Sequence, residues 1–216
     1  MTQRIVIVGA GGHAKVVLEA VQATERFTIV GATDPHPEGT SILGIPILGS
    51  DDVLPALHAQ GVRAAVVALG ENDLRERLAA RLRTIGFALP PIVHPQAFVA
   101  PSARIADGAI VMARAVVGTD TSIGPLAIIN TGAILDHDNE VGIAAHIAPG
   151  CALAGWVKVG ARSLVGVGSA VRPKVTIGAD VVVGAGSAVV KDLPDGARVG
   201  GVPARPLPQV AAPKRS

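Results

Sequence analysis

The stretch that decides the fold runs Val93, Val99, Ile105, Val111, Val117, Ile123, Ile129, Leu135, Val141, Ile147, Leu153, Val159, Val165, Val171, Ile177, Val183, Val189, an aliphatic residue at every sixth position without a break. A period of six is neither the alternation of an ordinary strand nor the 3.6 of a helix. On an α-helix, residues six apart are rotated by roughly 600°, which scatters them over three sides and leaves no buried stripe. Gly, Ala, Asn or Asp dominate just after the aliphatic residue, and small residues dominate four places after it, as at Ala97, Ala115, Thr121, Ser163 and Ser187. Pro95, Pro101, Pro125, Pro149 and Pro173 all fall two places after it. Proline has no N–H to give to a ladder, so that slot is a bend. Short strands separated by tight bends at fixed period predict a parallel β-solenoid, each coil covering the apolar end of the one before.

Working outward to the N-terminus, Arg4-Ile-Val-Ile-Val8 is a continuous aliphatic run, as expected of a strand buried on both faces. Gly9-Ala-Gly-Gly-His-Ala-Lys15 follows, and Ala14, Val17, Leu18 and Val21 then recur at helical spacing. In this strand, glycine turn and helix, the glycines permit close backbone approach and the first helical N–H groups face an anion such as a pyrophosphate. The alternative is a turn that only packs helix on strand. A second strand, 27–32, leads to Asp34, where a dinucleotide fold places its ribose-binding acid. Residues 41–49 read as an irregular extended stretch, Asp51 and Asp52 as an N-cap for a helix through Leu57, 63–69 as a third strand and 74–83 as an amphipathic helix. Residues 1–90 therefore form an α/β domain about half the size of a dinucleotide-binding one, which suits a mononucleotide better than NAD. Residues 91–193 are the β-helix, and 194–216 a C-terminal tail.

No run of about 18 apolar residues is present, so no membrane span is expected. The aliphatic opening breaks at Gly9, Gly11 and Gly12 and flows into a helical pattern, which argues against a signal peptide. One cysteine, Cys151, allows no intramolecular disulfide and fits a cytoplasmic protein. It occupies a small-residue slot and reads as a packing residue. A net charge of +2 with dispersed Lys and Arg, and only three Phe and one Trp, leaves nucleic acid an unexpected partner.

Six histidines could carry chemistry: His13, His36, His58, His94, His137 and His146. His36 and His58 fall in a polar loop and a surface helix and receive no role, and His94 beside Pro95 reads as structural. His137 takes the bend slot that proline fills elsewhere, so its imidazole projects outward from a corner. Flanked by Asp136 and Asp138, it is either a general base oriented by a carboxylate or a solvated corner histidine. His146 lies nine residues on, half of an eighteen-residue coil away. On one chain the two side chains belong to different edges or faces and meet only across a subunit boundary. A catalytic zinc needs three protein ligands, and the solenoid offers no third histidine beyond distant His94, so no metal is expected.

Three segments carry a resemblance: Gly9-Ala-Gly-Gly-His-Ala-Lys-Val-Val17 at the front, Asn130-Thr-Gly with His137 and His146 in the middle, and Gly201-Val-Pro-Ala-Arg-Pro206 near the end. Together with the hexads they resemble the hexapeptide-repeat acyltransferases, and within them the nucleotide-sugar N-acetyltransferases. Hexads alone indicate only a fold, since the same solenoid serves carbonic anhydrases and non-catalytic subunits. The resemblance implies a left-handed parallel β-helix after a half-Rossmann-like α/β domain, a homotrimer with sites between subunits, and acetyl transfer from acetyl-CoA to the amine of a nucleotide-linked 4-amino-4,6-dideoxy sugar. A GDP-linked sugar is the first expectation and a UDP-linked bacillosamine-type precursor the next. Sugar O-acetylation and a non-catalytic solenoid are the alternatives. It also implies His137 as base oriented by Asp138, where members usually carry Glu. Gly155 would be the oxyanion donor, with Asn130 and His146 near the thioester and pantetheine of CoA, Val167 and Ala185 along the cofactor arm, Gly11, Gly12 and His13 at the sugar-nucleotide phosphates, and Asp34 near the nucleoside. The C-terminal tail would contribute to the CoA site.

Overall fold

The computed structural model describes residues 2–35, 37 and 39–208. The chain opens with β1 (Gln3–Val8), α1 (Gly12–Ala23), β2 (Phe27–Thr33), the short strands β3 (Ser41–Ile42) and β4 (Ile45–Pro46), α2 (Leu54–Ala59), β5 (Ala64–Val67) and α3 (Asn72–Ile85). The parallel order β2-β1-β5 makes a three-stranded half of a doubly wound sheet. Alternation along β1 sends Ile5 and Ile7 toward α1 and Val6 and Val8 toward Leu54 and Leu82 on the other side, which is why the run is aliphatic throughout. Two details differ from the sequence reading. The segment 41–49 is not irregular, because Ser41–Ile42 and Ile45–Pro46 pair antiparallel across Leu43 and Gly44. Asp51 and Asp52 do not cap: Ser50 does, its hydroxyl accepting from the Asp52 N–H at 3.4 Å, and both acids lie in the first turn of a 3-10 segment leading into α2. His36 lies outside the described residues.

From Ile92 the chain winds as a left-handed parallel β-helix of two-residue strands, paired through Val189 with the strand eighteen residues on, the last coil closing at sixteen. The second residue of each strand is the predicted aliphatic, and from Val111 to Val189 all of these are buried in one continuous core that also takes in Cys151. The three faces differ by their outward residues. A docking face presents Ile92, Ile110, Ile128, His146, Leu164 and Val182. An apolar face presents Phe98, Val116, Ile134, Ala152, Ala170 and Ala188. A polar face presents Arg104, Ser122, Glu140, Lys158 and Thr176. Arg198–Gly200 extends the docking sheet in parallel, and Arg205–Pro206 folds back on it antiparallel.

The corners contain a feature not visible in the aliphatic period. Three places after the aliphatic residue, from Gly108 to Gly186, φ is positive, near +51° to +69°. This is the third residue of a type II turn, with the proline slot as its second. Hence the corner residue after His137, Asp138 at φ 56°, is of a type that tolerates this conformation.

The α/β unit sits on the docking face. Val17, Leu18 and Val21 of α1 share one cluster with Ile92, Ile110, Met112 and Ile128, so the outward residues of the first coils are apolar because a helix covers them. Arg75 of α3, fully buried, reaches across the junction. It donates to Leu126 O at 2.8 Å and Ala144 O at 2.6 Å on the solenoid, and to Leu69 O, Gly70 O and Asn72 Oδ1 on its own side. Arg162 adds an outer tie, paired with Asp180, Glu76 and Asp73.

Candidate active site

The turn after β1 separates its glycines by task. Gly9 has φ +107° and a Cβ there would stand 2.9 Å from the Leu69 side chain, so it serves packing. Around Gly11 and Gly12 a Cβ would meet nothing within 4 Å, and neither has a left-handed φ. Local packing therefore gives no reason for glycine at these two positions. They leave open space at the N-terminus of α1, whose first amide groups have no side-chain cap. Asp34 closes the turn from below, its Oδ2 accepting from the Ala10 N–H at 2.9 Å.

His13 points from this turn toward the solenoid. Its ring lies 6.1 Å from that of His146, and its Nε2 is buried with no hydrogen-bond partner among the described residues. Burial, and then the Arg75 charge, hold its pKa below the ordinary value. His146 bonds through Nε2 to Asn130 Nδ2 at 3.0 Å. Asn130 Oδ1 accepts from the Thr131 N–H, which fixes the amide and makes Nδ2 the donor. His146 Nε2 is then the acceptor and Nδ1 carries the proton, facing the Gly70 carbonyl. Burial first, then Arg75 and His13, push this imidazole down to about 4 against the opposing Gly70 bond.

A pH dependence of stability follows. Between pH 6.5 and about 4 the unfolded chain holds a proton that folded His146 refuses, so this part of the stability is complete above pH 6.5 and is lost as pH falls. The loss amounts to roughly 3 kcal/mol by pH 4. Urea midpoints from pH 7 to 4.5 are expected to fall, and His146→Gln to flatten the slope. An equal slope in the variant would remove the neutral buried imidazole from the account.

The second cluster lies on the edge between the apolar and polar faces. His137 Nδ1 is 2.7 Å from Asp138 Oδ2, so the carboxylate holds the Nδ1–H tautomer and leaves the Nε2 lone pair without a partner among the described residues. Although shorter than Glu, Asp138 reaches because its left-handed backbone turns it back on its neighbour. One coil on, Gly155 stands over the ring: a Cβ there would lie 2.5 Å from His137 Cε1 and Nε2. The Gly155 N–H donates to nothing among the described residues. Trp156 meets the imidazole edge to face, centroids 4.5 Å apart at 89°.

Sequence reasoning missed the residues that brace this corner from inside. Thr121 Oγ1 donates to Asp136 O at 2.8 Å, and fully buried Asn139 donates to the same oxygen at 2.7 Å and accepts from the Val157 N–H at 3.0 Å. The available signal was an amide in a slot that is elsewhere held by Ala, Ser, Thr, Cys or Val and never by another amide.

Asn130, Val167 and Ala185 fall on the edge between docking and apolar faces. There Gly132, Gly150, Gly168 and Gly186 stack in the left-handed slot, each with nothing within 4 Å of a Cβ. One chain thus brings His13, His146 and Asn130 together and His137, Asp138 and Gly155 together, on different edges. A groove of about 1030 Å³ over the polar face touches Asp138 and Trp156 but none of the first cluster. Among the described residues no group of three or more His, Cys, Asp and Glu could hold a metal ion, and no helix is long and apolar enough to cross a membrane.

Residues 4–82 match the family model described as the PglD N-terminal domain. The perosamine N-acetyltransferase of Caulobacter crescentus, solved as a histidine-to-asparagine mutant with CoA and GDP-perosamine, is similar with a TM-score of 0.92 at 46% identity, over 97% of this chain and 99% of that one. The acetyltransferase domain of PglB from Neisseria gonorrhoeae FA1090, in complex with acetyl coenzyme A, matches with a TM-score of 0.91 at 38% identity, over 96% of this chain and 100% of that one. The UDP-N-acetylbacillosamine N-acetyltransferase of Bacillus subtilis (strain 168) is 34% identical over 112 residues, 51% of this chain and about half the length of that curated relative, 52%.

Proposed function

Because this chain belongs to the hexapeptide-repeat nucleotide-sugar N-acetyltransferases, we propose that it moves the acetyl group of acetyl-CoA to the primary amine of a nucleotide-linked 4-amino-4,6-dideoxy sugar, with GDP-perosamine the first acceptor to test and a UDP-linked bacillosamine-type sugar the next. The observation that carries this reading is the His137 imidazole, held through Nδ1 by Asp138, with neither its Nε2 nor the Gly155 N–H above it hydrogen-bonded among the described residues. Nε2 takes a proton from the amine as its nitrogen attacks the thioester carbonyl. The tetrahedral oxyanion is stabilised by the Gly155 N–H. Collapse breaks the C–S bond, and the imidazolium returns its proton to the departing thiolate of CoA.

The side-chain-free edge of Gly132, Gly150, Gly168 and Gly186 beside Val167 and Ala185 suits a long, thin pantetheine arm, with Asn130 and His146 at its thioester end and the segment after residue 194 beside it. The open space over Gly11 and Gly12, with His13, suits the phosphates of the sugar nucleotide, and Asp34 lies at the nucleoside side of that turn. In this reading three copies assemble through the apolar face. Phe98 and Ile134 on it are 59% and 49% exposed in a single chain, an apolar surface that a closed ring would cover. That face lies between the two edges, so burying it against neighbours brings one chain's His137 edge up to another's Asn130 edge.

Incubation with acetyl-CoA and a panel of nucleotide amino sugars, read as free thiol, tests the reaction. Saturable thiol release with an amine acceptor is expected. Release only with hydroxyl acceptors would reassign the chain to O-transfer, and none with any acceptor would leave a non-catalytic solenoid.

A further inference from the structure

We infer that Trp156 is a positioning residue for the His137 base: its indole closes the open flank of the imidazole and keeps Nδ1 on Asp138 and Nε2 toward the reacting amine. This rests on His137 acting as base in the proposed reaction, although the ring geometry can be measured independently of it.

Trp156 occupies the left-handed slot of its corner, φ 58°. The other non-glycine residues in that slot are Arg114, Asp120, Leu126, Asp138, Ala144, Arg162, Lys174 and Asp180, none of them aromatic. A bulky side chain is strained there and glycine is not. Core packing does not account for the exception, since the indole is 51% exposed. Among the described residues its one aromatic contact is the edge-to-face meeting with His137, and Lys174, one coil further along the same column, places its Nζ 5.4 Å from the indole centroid. The backbone ties the same two residues, Trp156 N–H donating to His137 O at 3.1 Å. Neighbouring Gly155 has no side chain, and a Cβ there would stand 2.5 Å from the imidazole, so the ring has room on that side that the indole flanks. Strain kept at a position where it buys ring placement rather than core burial is the pattern expected beside reacting groups.

The test compares Trp156→Gly with Trp156→Phe. Because glycine relieves the left-handed strain at an exposed corner, Trp156→Gly is expected to melt at or above the wild-type temperature while kcat falls about tenfold. KM for acetyl-CoA should change less than kcat. Trp156→Phe retains an aromatic edge and should recover most of kcat. In nitrogen-15 histidine spectra, His137 should show a single Nδ1–H tautomer in the wild type and Trp156→Phe, and averaged tautomers in Trp156→Gly. Wild-type kcat in Trp156→Gly, or an unchanged tautomer signal, would overturn the inference. Should His137→Asn prove fully active, the base assignment fails, and the tautomer comparison alone decides whether Trp156 positions the ring.

Discussion

His137→Asn is expected to lower turnover at pH 7 by about a hundredfold, the lower end of what a positioned base contributes. The lower end is appropriate because the acceptor is an amine, a fraction of which is already neutral near pH 7 to 8 and attacks unaided. The deficit should therefore shrink as pH rises, moving the optimum of the variant upward, while the fold is unaffected because His137 is a half-exposed corner residue. Asparagine retains a polar group toward Asp138 but cannot accept the proton. Initial rates from pH 6 to 9.5 with saturating acetyl-CoA decide the matter: wild-type turnover with an unchanged profile would remove His137 as base and leave the acetyltransferase reading standing. The same variant tests where the site lies. If His137 of one chain works with Asn130 of another, mixed assemblies of impaired His137→Asn and impaired Asn130→Ala chains regain wild-type activity at roughly one interface in four. Sites complete within one chain would regain none.

Arg75→Met is expected to cost about 3 to 5 kcal/mol of stability, because several buried carbonyl oxygens lose their donor at about 1 to 3 kcal/mol each. The guanidinium is fully buried and faces carbonyls and an amide rather than a carboxylate. Burial lowers its pKa to about 10 against the opposing influence of Glu76, so it remains charged at neutral pH. Methionine fills the aliphatic stem but leaves Leu126 O and Ala144 O without the donor that joins α/β unit to solenoid. Arg75→Lys, a compact ammonium with fewer donors and no fork, should fall between the two. For a chain of this length the methionine variant should melt on the order of 10 °C lower. A shift under about 1 kcal/mol would show that the junction is held by the apolar cluster of α1 and the first coils instead.

The two halves of the site were legible to different degrees, for physical reasons. His137 could be placed on an outward corner because the hexad assigns every residue of a regular coil to a face or a bend, and proline marks the bend. Asp138 was legible as a flanking acid, but that its carboxylate meets Nδ1, in a residue of positive φ, is something no spacing reveals. Gly11 and Gly12 were legible as a turn, but their separation from Gly9 by task needed the position of Leu69, sixty residues away. His146 was correctly put on a different face from His137, yet its closeness to His13 was invisible, because it depends on how α1 lies across the docking face. Trp156 and Arg75 gave little signal alone: an aromatic in a polar corner and an arginine on an amphipathic helix resemble ordinary surface residues until the coil above and the junction below are in place.

By itself the sequence determined the solenoid, its register and its corners, because an eighteen-residue coil is a local rule repeated and each coil contacts chiefly its neighbours. Only the tertiary structure decided the chemistry at those corners. Which nitrogen of His137 is left open, why His146 stays neutral and how an arginine buried without a carboxylate is satisfied all depend on contacts between residues far apart in the chain, such as Arg75 with Ala144 and His13 with His146, or on backbone angles at one residue, and neither leaves a period to read.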